Sequence, residues 1–441
     1  MSLREDPLFV RQRCRDSEMD RQRVIEAIER GLGRRKLIWF GTRGEDAQPL
    51  LEIKQLTEVF SLIAPLNTLS VEREVCLERL TGWRHDLDSY DLDADFSESA
   101  LSLRASLLQS LRDPSVIAAY RPLAFLSSVY YPRRGHVEYL GLFHERQAPF
   151  EHKPWVETEL LSLGIPTIPW KYFSDEDRQR VEEELSAYGS IVMRNNRSDG
   201  GAGFCLVKNR EDLYSNWKVH PEGFFAVAPL MYPHIPLNVN CCVFSDGTVS
   251  MHGPSLQLIG IDGLTSRSFG YCGNDFAAGR LIERRIWDDL DRIVRSVAHW
   301  LFSKGYVGAF GIDAMVYDGE LYLTEVNPRF QGSSAVSALL DAHTGRPDVF
   351  LCHTAALLGI KAEFSEKLYD LAQEQPAMAQ ILVHNTGKTP KRCKDAVERY
   401  VDNVRLTWII HGSWSPKDSH QLQDLWYQGV ASSLDTQIRE D

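Results

Sequence analysis

Apolar residues recur with different periods in different regions of this chain, and the periods predict a mixture of helices and strands. Apolar runs at positions 36–40 and 60–66 enclose residues 50–60, where the apolar positions have helical spacing, so the chain is expected to open as a β-α-β unit. Short apolar runs separated by glycine turns predict strands between 190 and 252, whereas 282–304 is strongly amphipathic and predicts a helix. The glycine-rich stretch 258–277 is expected to be a long loop. The fold class is therefore α/β.

A hairpin is expected within residues 305–334, where the apolar runs 310–317 and 320–326 flank Asp318-Gly319. Two registers are open. A two-residue loop would place Asp313 opposite Thr324 and turn Glu325 to the other face of the sheet. A three-residue loop with a bulge at Gly319 would place Asp313 opposite residue 323, with Glu325 as its diagonal neighbour on the same face.

Only the second register brings the two carboxylates together, and it is the one we prefer. Alternation with a period of two then carries Asn327, and after Pro328 also Arg329, to the same face. Carboxylate and amide oxygens are hard ligands that suit Mg²⁺ bound together with phosphate groups. On an arbitrary hairpin these residues would be solvated edge charges, but the pattern Glu-x-Asn-Pro-Arg-x-Gln at 325–331 favours a metal site.

Composition and charge narrow the functional class. The chain has 441 residues, 43% hydrophobic and 25% charged, which is typical of a soluble protein with more than one packed unit. The net charge is −12, and the basic clusters near the N-terminus are interleaved with acids, so no nucleic acid partner is expected. No apolar run is long enough to span a membrane, and the eight cysteines include no Cys-x-x-Cys, so we expect a cytoplasmic protein with reduced thiols.

At the hairpin residues the chain resembles the ATP-grasp superfamily. The resemblance implies an ATP-grasp fold with an N-terminal α/β pre-ATP-grasp domain at 1–150, an ATP-grasp domain at 151–364 whose lid covers about 187–225, and a small C-terminal α/β unit at 365–441. It also implies that Asp313, Glu325 and Asn327 hold Mg²⁺ against the phosphates of ATP.

The resemblance extends to the expected ATP site. Lys153 begins the segment that matches the entry helix, whose leading lysine contacts phosphate, and Arg194 stands where the family commonly has a second lysine. An acidic residue that commonly binds ribose is missing from 224–230. The other expected contacts are the backbone of the glycine-rich lid and of the adenine-binding strand, at Gly200, Gly201, Gly203, Ala228 and Leu230.

The reaction implied by the resemblance joins a small-molecule carboxylate to an amine, both amino acids or peptides, through an acyl phosphate. Arg329 would orient the carboxylate. Biotin carboxylation is disfavoured because Gln331-Gly332-Ser333-Ser334 replaces the Val-Glu-His run of that subfamily. A homodimer is possible. The alternatives are an ATP-binding scaffold without turnover and an ATP-grasp kinase or thioester-forming ligase.

Overall fold

The computed structural model contains β-sheets of five, eight and four strands among the residues that it describes. These are residues 20–63, 65, 68–82, 92, 95–126, 136–142, 144–197, 200–201, 203–218, 220–260, 265, 267–376, 378–383 and 406–411. A strand expected at 127–131 and a helix expected at 395–404 lie outside them. None of the described helices has the length and apolar character needed to cross a membrane.

The N-terminal sheet is entirely parallel, with the order β3-β2-β1-β4-β5. The helical prediction for residues 50–60 is wrong, because a 3₁₀ helix at Gly44–Leu50 is followed by turns and then by a strand that begins at Leu56. This strand is buried along nearly its whole length, so its sequence lacks the alternation that identifies a half-exposed strand. The strands are β1 (Lys36–Arg43), β2 (Leu56–Ile63), β3 (Arg73–Cys76), β4 (Ser115–Ala119) and β5 (Val137–Leu140), and the helices are α1 (Arg21–Leu32), α2 (Leu77–Thr81) and α3 (Glu98–Ser110).

A four-stranded antiparallel sheet with the order β6-β9-β7-β8 follows in the chain. It packs on its own helix through a separate apolar cluster that includes Phe173, Val181 and Phe225. Its strands are β6 (Lys171–Ser174), β7 (Ile191–Arg194), β8 (Phe204–Val207) and β9 (Phe224–Pro229), and the helices of this region are α4 (His144–Gln147), α5 (Lys153–Ser162), α6 (Arg178–Tyr188) and α7 (Arg210–Asn216).

The central sheet has the order β15-β14-β10-β12-β13-β16-β17, with β11 paired to β10. The prediction of one long loop at 258–277 is wrong in part, since both ends of that stretch belong to strands. The strands are β10 (Ile235–Val243), β11 (Val249–Met251), β12 (Ser255–Ile259), β13 (Tyr271–Asp275), β14 (Gly308–Tyr317), β15 (Glu320–Asn327), β16 (Met378–Val383) and β17 (Leu406–His411). The helices are α8 (Arg284–Ser303), α9 (Ser334–His343), α10 (Val349–Leu357) and α11 (Leu368–Glu374).

Two apolar cores hold the central sheet in place. Helix α8, which confirms the amphipathic prediction, packs its apolar stripe on one face of the sheet beside Phe310 and Ile312. A second core joins the sheet to the N-terminal unit, with Trp39 of β1 against the rings of Phe330 and Phe350 at centroid distances of 5.9 and 5.7 Å. The domain boundaries at 150 and 364 stay predictions, and β16 and β17 extend the central sheet at its far edge.

Candidate active site

The β14–β15 hairpin brings the two predicted carboxylates face to face. The turn is the two-residue form, because residues 317 and 320 pair directly and Asp318 and Gly319 have φ values of 50° and 76°. The three-residue loop that we preferred is therefore wrong. A register shift passes over Thr324, so Asp313 pairs with Glu325 itself. This bulge in β15 places both acids on one face, which the turn alone would not do.

Four side-chain amides surround the carboxylate of Asp313. Nδ2 of Asn238 donates to Oδ1 at 2.7 Å, and Nε2 atoms of Gln257 and Gln331 donate to the same oxygen at 3.0 and 3.3 Å. Nδ2 of Asn327 donates to Oδ2 at 3.1 Å. The carboxylate is thereby fixed in orientation, with Oδ1 saturated and Oδ2 left with capacity for one more partner.

The second carboxylate carries a cation. Nζ of Lys153, the first residue of α5, lies 2.6 Å from Oε1 of Glu325, and the lysine side chain is only 8% exposed. Burial, and after it the charge of Glu325, raise the pKa of Asp313 to about 6. Two partly buried carboxylates that repel each other favour a bound cation, so the donor set fits Mg²⁺ on this observation.

Arg329 lies beside this site but is already engaged. Its Nε is 3.5 Å from Oε1 of Glu151, and its Nη1 donates to the carbonyl of Phe330 at 3.2 Å. The guanidinium still contributes to the cavity wall together with Asn327. The ion pair with Glu151 therefore holds Arg329 at the cavity wall.

The expected adenine end is apolar. Ala228 of β9 packs with Ile168 and with Met315 of β14 in one small cluster. Leu230 lines the same cavity, but its N–H donates to the carbonyl of Ser190 at 3.0 Å and is therefore committed to the sheet. A flat, apolar slot of this kind suits a base.

Arg194 is almost fully buried at the end of β7. Its Nη2 lies 2.5 Å from Oε1 of Glu157, and its guanidinium stacks 4.3 Å from the ring centroid of Trp170. Burial raises the pKa of Glu157, and the arginine opposes that shift. The charge predicted to replace the family's lysine is thus present at the cavity, held by a carboxylate and an indole ring.

Gly200 and Gly201, in the glycine-rich segment between β7 and β8, line the cavity. Gly200, Gly201 and Gly203 have φ values of 57°, 77° and 77°, which favour glycine. A Cβ on Gly201 would lie 1.9 Å from the carbonyl oxygen of Phe269, so the loop touches the segment before β13. Only glycine permits that approach.

All of the predicted site residues except Gly203 line one cavity of about 930 Å³. The cavity residues that sequence reasoning missed include His234, Trp170 and Gln257. Gln257 lies on β12 and reaches the site because β12 pairs with β10 in the sheet. No local sequence pattern marks such a residue. His234 precedes β10, and Trp170 ends a proline-bracketed segment, a weak signal at best.

Comparison with known proteins agrees with this geometry. Residues 164–333 match the family model described as ATP-grasp domain. This stretch, about two fifths of the chain, is similar to an ATP-grasp domain. The match spans the glycine-rich segment after β7, strand β9 and the β14–β15 hairpin, so the resemblance found in the sequence is confirmed.

Several proteins are similar to this chain. The large chain of arginine-specific carbamoyl phosphate synthase from Halalkalibacterium halodurans is 26% identical over 216 residues, which cover 47% of this chain and 19% of that protein. The match thus spans about a fifth of that relative's length. Two solved structures share the fold: the biotin carboxylase domain dimer of Hydrogenobacter thermophilus 2-oxoglutarate carboxylase with MgADP, and Staphylococcus aureus N5-carboxyaminoimidazole synthetase with ADP.

The carboxylase domain has a TM-score of 0.58 at 12% identity, covering 86% of each chain. The synthetase has a TM-score of 0.56 at 12% identity, covering 90% of this chain and 96% of its own. Identities this low show the fold alone. The relatives are named as a synthase, a carboxylase and a synthetase, and both structures hold ADP.

Proposed function

We propose that this protein is an ATP-dependent carboxylate–amine ligase that forms an amide or peptide bond between small molecules through an acyl phosphate. The observation that carries the proposal is the opposed pair Asp313 and Glu325, with Asn327 on the same strand, in a cavity shared with an apolar base slot. This pair can hold Mg²⁺ against the phosphates of ATP, beside the positive groups that phosphoryl transfer requires.

The phosphate end of the site is built from fixed positive groups. Mg²⁺ held by the acidic pair and Asn327 would neutralise charge on the transferring phosphoryl group. Lys153 supplies an ammonium beside Glu325, and Arg194 supplies a guanidinium that its partners already orient. Such preorganised donors stabilise developing charge without rearranging during the reaction. The lid glycines offer backbone N–H groups above them and exclude water.

His234, which also lines the cavity, is our candidate for holding the ribose without an acid. Its Nδ1 lies 2.8 Å from the carbonyl of Met231, so Nδ1 carries the proton and Nε2 is an acceptor. Burial lowers the pKa of His234, which keeps the ring neutral. We assign Nε2 to accept a hydrogen bond from a ribose hydroxyl, in the role of the missing carboxylate.

The chemistry proceeds in two displacements. A carboxylate oxygen attacks the γ-phosphorus, the bond to the ADP oxygen breaks, and ADP leaves. The amine nitrogen then attacks the acyl carbon, phosphate departs, and the amine proton leaves with phosphate. Arg329 orients the carboxylate and stabilises the oxyanion of the second step, since its planar fork binds two oxygens together.

The test is ADP release in the presence of ATP, Mg²⁺ and a panel of amino acids and short peptides. We expect release that requires both a carboxylate and an amine and that falls at least 100-fold in Glu325→Gln. The matched control is Glu320→Gln, at an exposed position on the same strand, which should keep full activity. Release that needs an alcohol or thiol in place of the amine would indicate a kinase or thioester-forming ligase instead. Nucleotide binding without release for any pair would overturn the proposal.

A further inference from the structure

Residues on the cavity-facing side of β14 mark successive positions along the length of the cavity. Met315 packs at the apolar base slot, Asp313 lies two residues further back on the same face, and Gly311 follows. A Cβ on Gly311 would lie 1.8 Å from Cδ of Gln331, so the Gln331 side chain covers that position. The acids therefore lie between the base slot and the segment that contains Gln331.

The N-terminal unit docks at this far end. The hydroxyl of Tyr120, just after β4, donates to the carbonyl of Gln331 at 2.8 Å, and its ring lies 5.7 Å from that of Phe330. The carboxyl ends of β1, β2 and β4 all contribute to the cavity here, which is where ligands bind to parallel sheets. Together with residues 331–342, the N-terminal unit thus lines nearly half of the cavity, and the nucleotide contacts use none of these residues.

Arg121 contributes a positive charge to this half of the cavity. It lines the large cavity, and together with Arg329 it also lines a small adjoining pocket. Among the other charges of this wall, Arg43 pairs with Asp46 at 3.3 Å and Arg21 with Glu52 at 2.8 Å, and Glu45 adds a further carboxylate. Within the described ranges, Arg121 pairs with no carboxylate.

The rest of this half is largely apolar. One side is the carboxyl end of β2, and the facing side is helix α9, in which the side chain of Leu339 stays 41% exposed. Small alanines leave space between them. The apolar lining residues are Pro49, Leu51, Leu62, Ile63, Ala335 and Leu339.

We infer that this half binds the carboxylate substrate, and that the substrate is a carboxylate with an apolar body, whose charge Arg121 shares with Arg329 while its body lies between β2 and α9. The inference rests on the proposed function and names its substrate class. Arg121 belongs to the N-terminal unit, so that unit contributes a charge to substrate recognition as well as a wall.

The test is calorimetric titration of the ADP- and Mg²⁺-loaded protein with leucine, phenylalanine, leucinamide and glutamine. We expect leucine and phenylalanine to bind about tenfold or more tightly than glutamine or than leucinamide, which lacks the charge. Arg121→Met should weaken leucine about tenfold and remove the preference over leucinamide. The matched control, Arg112→Met, alters an exposed arginine away from the cavity and should change nothing.

A second variant tests the apolar wall. Leu339→Asp adds a charge at an already exposed position, so it should fold normally and weaken leucine without changing ADP affinity. Unchanged discrimination in Arg121→Met, glutamine bound as tightly as leucine, or no binding of either apolar amino acid would each overturn the inference. Because binding is measured without turnover, these results are distinct from failure of the ligase reaction.

Discussion

Replacement of Gly311 by alanine should damage the metal site through a single methyl group. The backbone of Gly311 has an ordinary conformation, so alanine is not strained there. The new Cβ, however, would lie 1.8, 2.1 and 2.2 Å from Cδ, Oε1 and Nε2 of Gln331. No side chain can stay at such distances, so Gln331 must leave its place above β14.

The cost follows from the hydrogen bonds that Gln331 makes. Its Oε1 accepts from Asn238 at 2.9 Å and its Nε2 donates to Asp313 at 3.3 Å, and Gln331 is only 6% exposed. Each lost bond costs about 1 kcal/mol, and a buried group left without a partner costs about 1–3 kcal/mol. We therefore expect the free energy of unfolding to fall by about 2–4 kcal/mol. The affinity for Mg²⁺-ADP should fall as well, because Asp313 loses a donor.

Urea unfolding and calorimetric titration with Mg²⁺-ADP measure the two effects. Gly279→Ala is the matched control, since its Cβ would meet its nearest neighbour at an ordinary 3.5 Å. The double variant Gly311→Ala/Gln331→Ala should be no less stable than Gln331→Ala alone, because the clash is then gone. A Gly311→Ala protein within about 0.5 kcal/mol of the wild type, or fully additive effects in the double variant, would refute the reasoning.

Three further predictions concern the phosphate end, the lid and the core. Lys153→Met removes the cation 2.6 Å from Glu325 and should lower kcat/KM for ATP by about 100-fold in steady-state assays. Gly201→Ala should raise KM for ATP, because its Cβ would strike the Phe269 carbonyl, whereas Gly223→Ala has the same sign of φ and an open neighbourhood and should not. Burial raises the pKa of Asp275 to about 7 in the folded protein, above its value in the unfolded chain. The free energy of unfolding is therefore highest at acid pH, where Asp275 is neutral in both states, and it falls as the pH rises through 7. Asp275→Asn should thus be more stable than the wild type at pH 8, by on the order of 3 kcal/mol in urea unfolding, with the difference vanishing near pH 4.

The sequence predicts which residues form the site better than it predicts how they are arranged. Asp313, Glu325 and Asn327 lie on the two strands of one hairpin, so the sequence places them near one another, although the bulge decides that the two acids share a face. The bulge at Thr324 could not be foreseen, because Thr324 is an ordinary strand residue and the register shift depends on how β15 meets β14.

Contacts between elements that are distant in sequence could not be predicted for the same reason. The amides of Asn238 and Gln257 reach Asp313 only because β10 and β12 are its neighbours in the sheet order. Asn238 and Asn240 lie two residues apart on β10, and their side chains have different surroundings. Asn238 lines the cavity, whereas Nδ2 of Asn240 donates to Ser333 at 3.0 Å behind it.

The strand at Leu56–Ile63 shows the limit of periodicity itself. A strand buried on both faces has no polar face to mark a period of two, so its apolar residues also fit a helix. The amphipathic α8 was predictable because one side of it faces solvent.

The central claim, that the carboxylate is activated by phosphorylation, is tested most directly by isotope transfer. The ligation is run with a substrate whose carboxylate oxygens are both ¹⁸O, and the released phosphate is analysed by mass spectrometry. An acyl phosphate breaks at the acyl carbon, so one ¹⁸O atom must leave with phosphate. We predict phosphate that carries a single heavy oxygen, in amounts equal to the amide formed. Unlabelled phosphate beside labelled substrate would contradict the account.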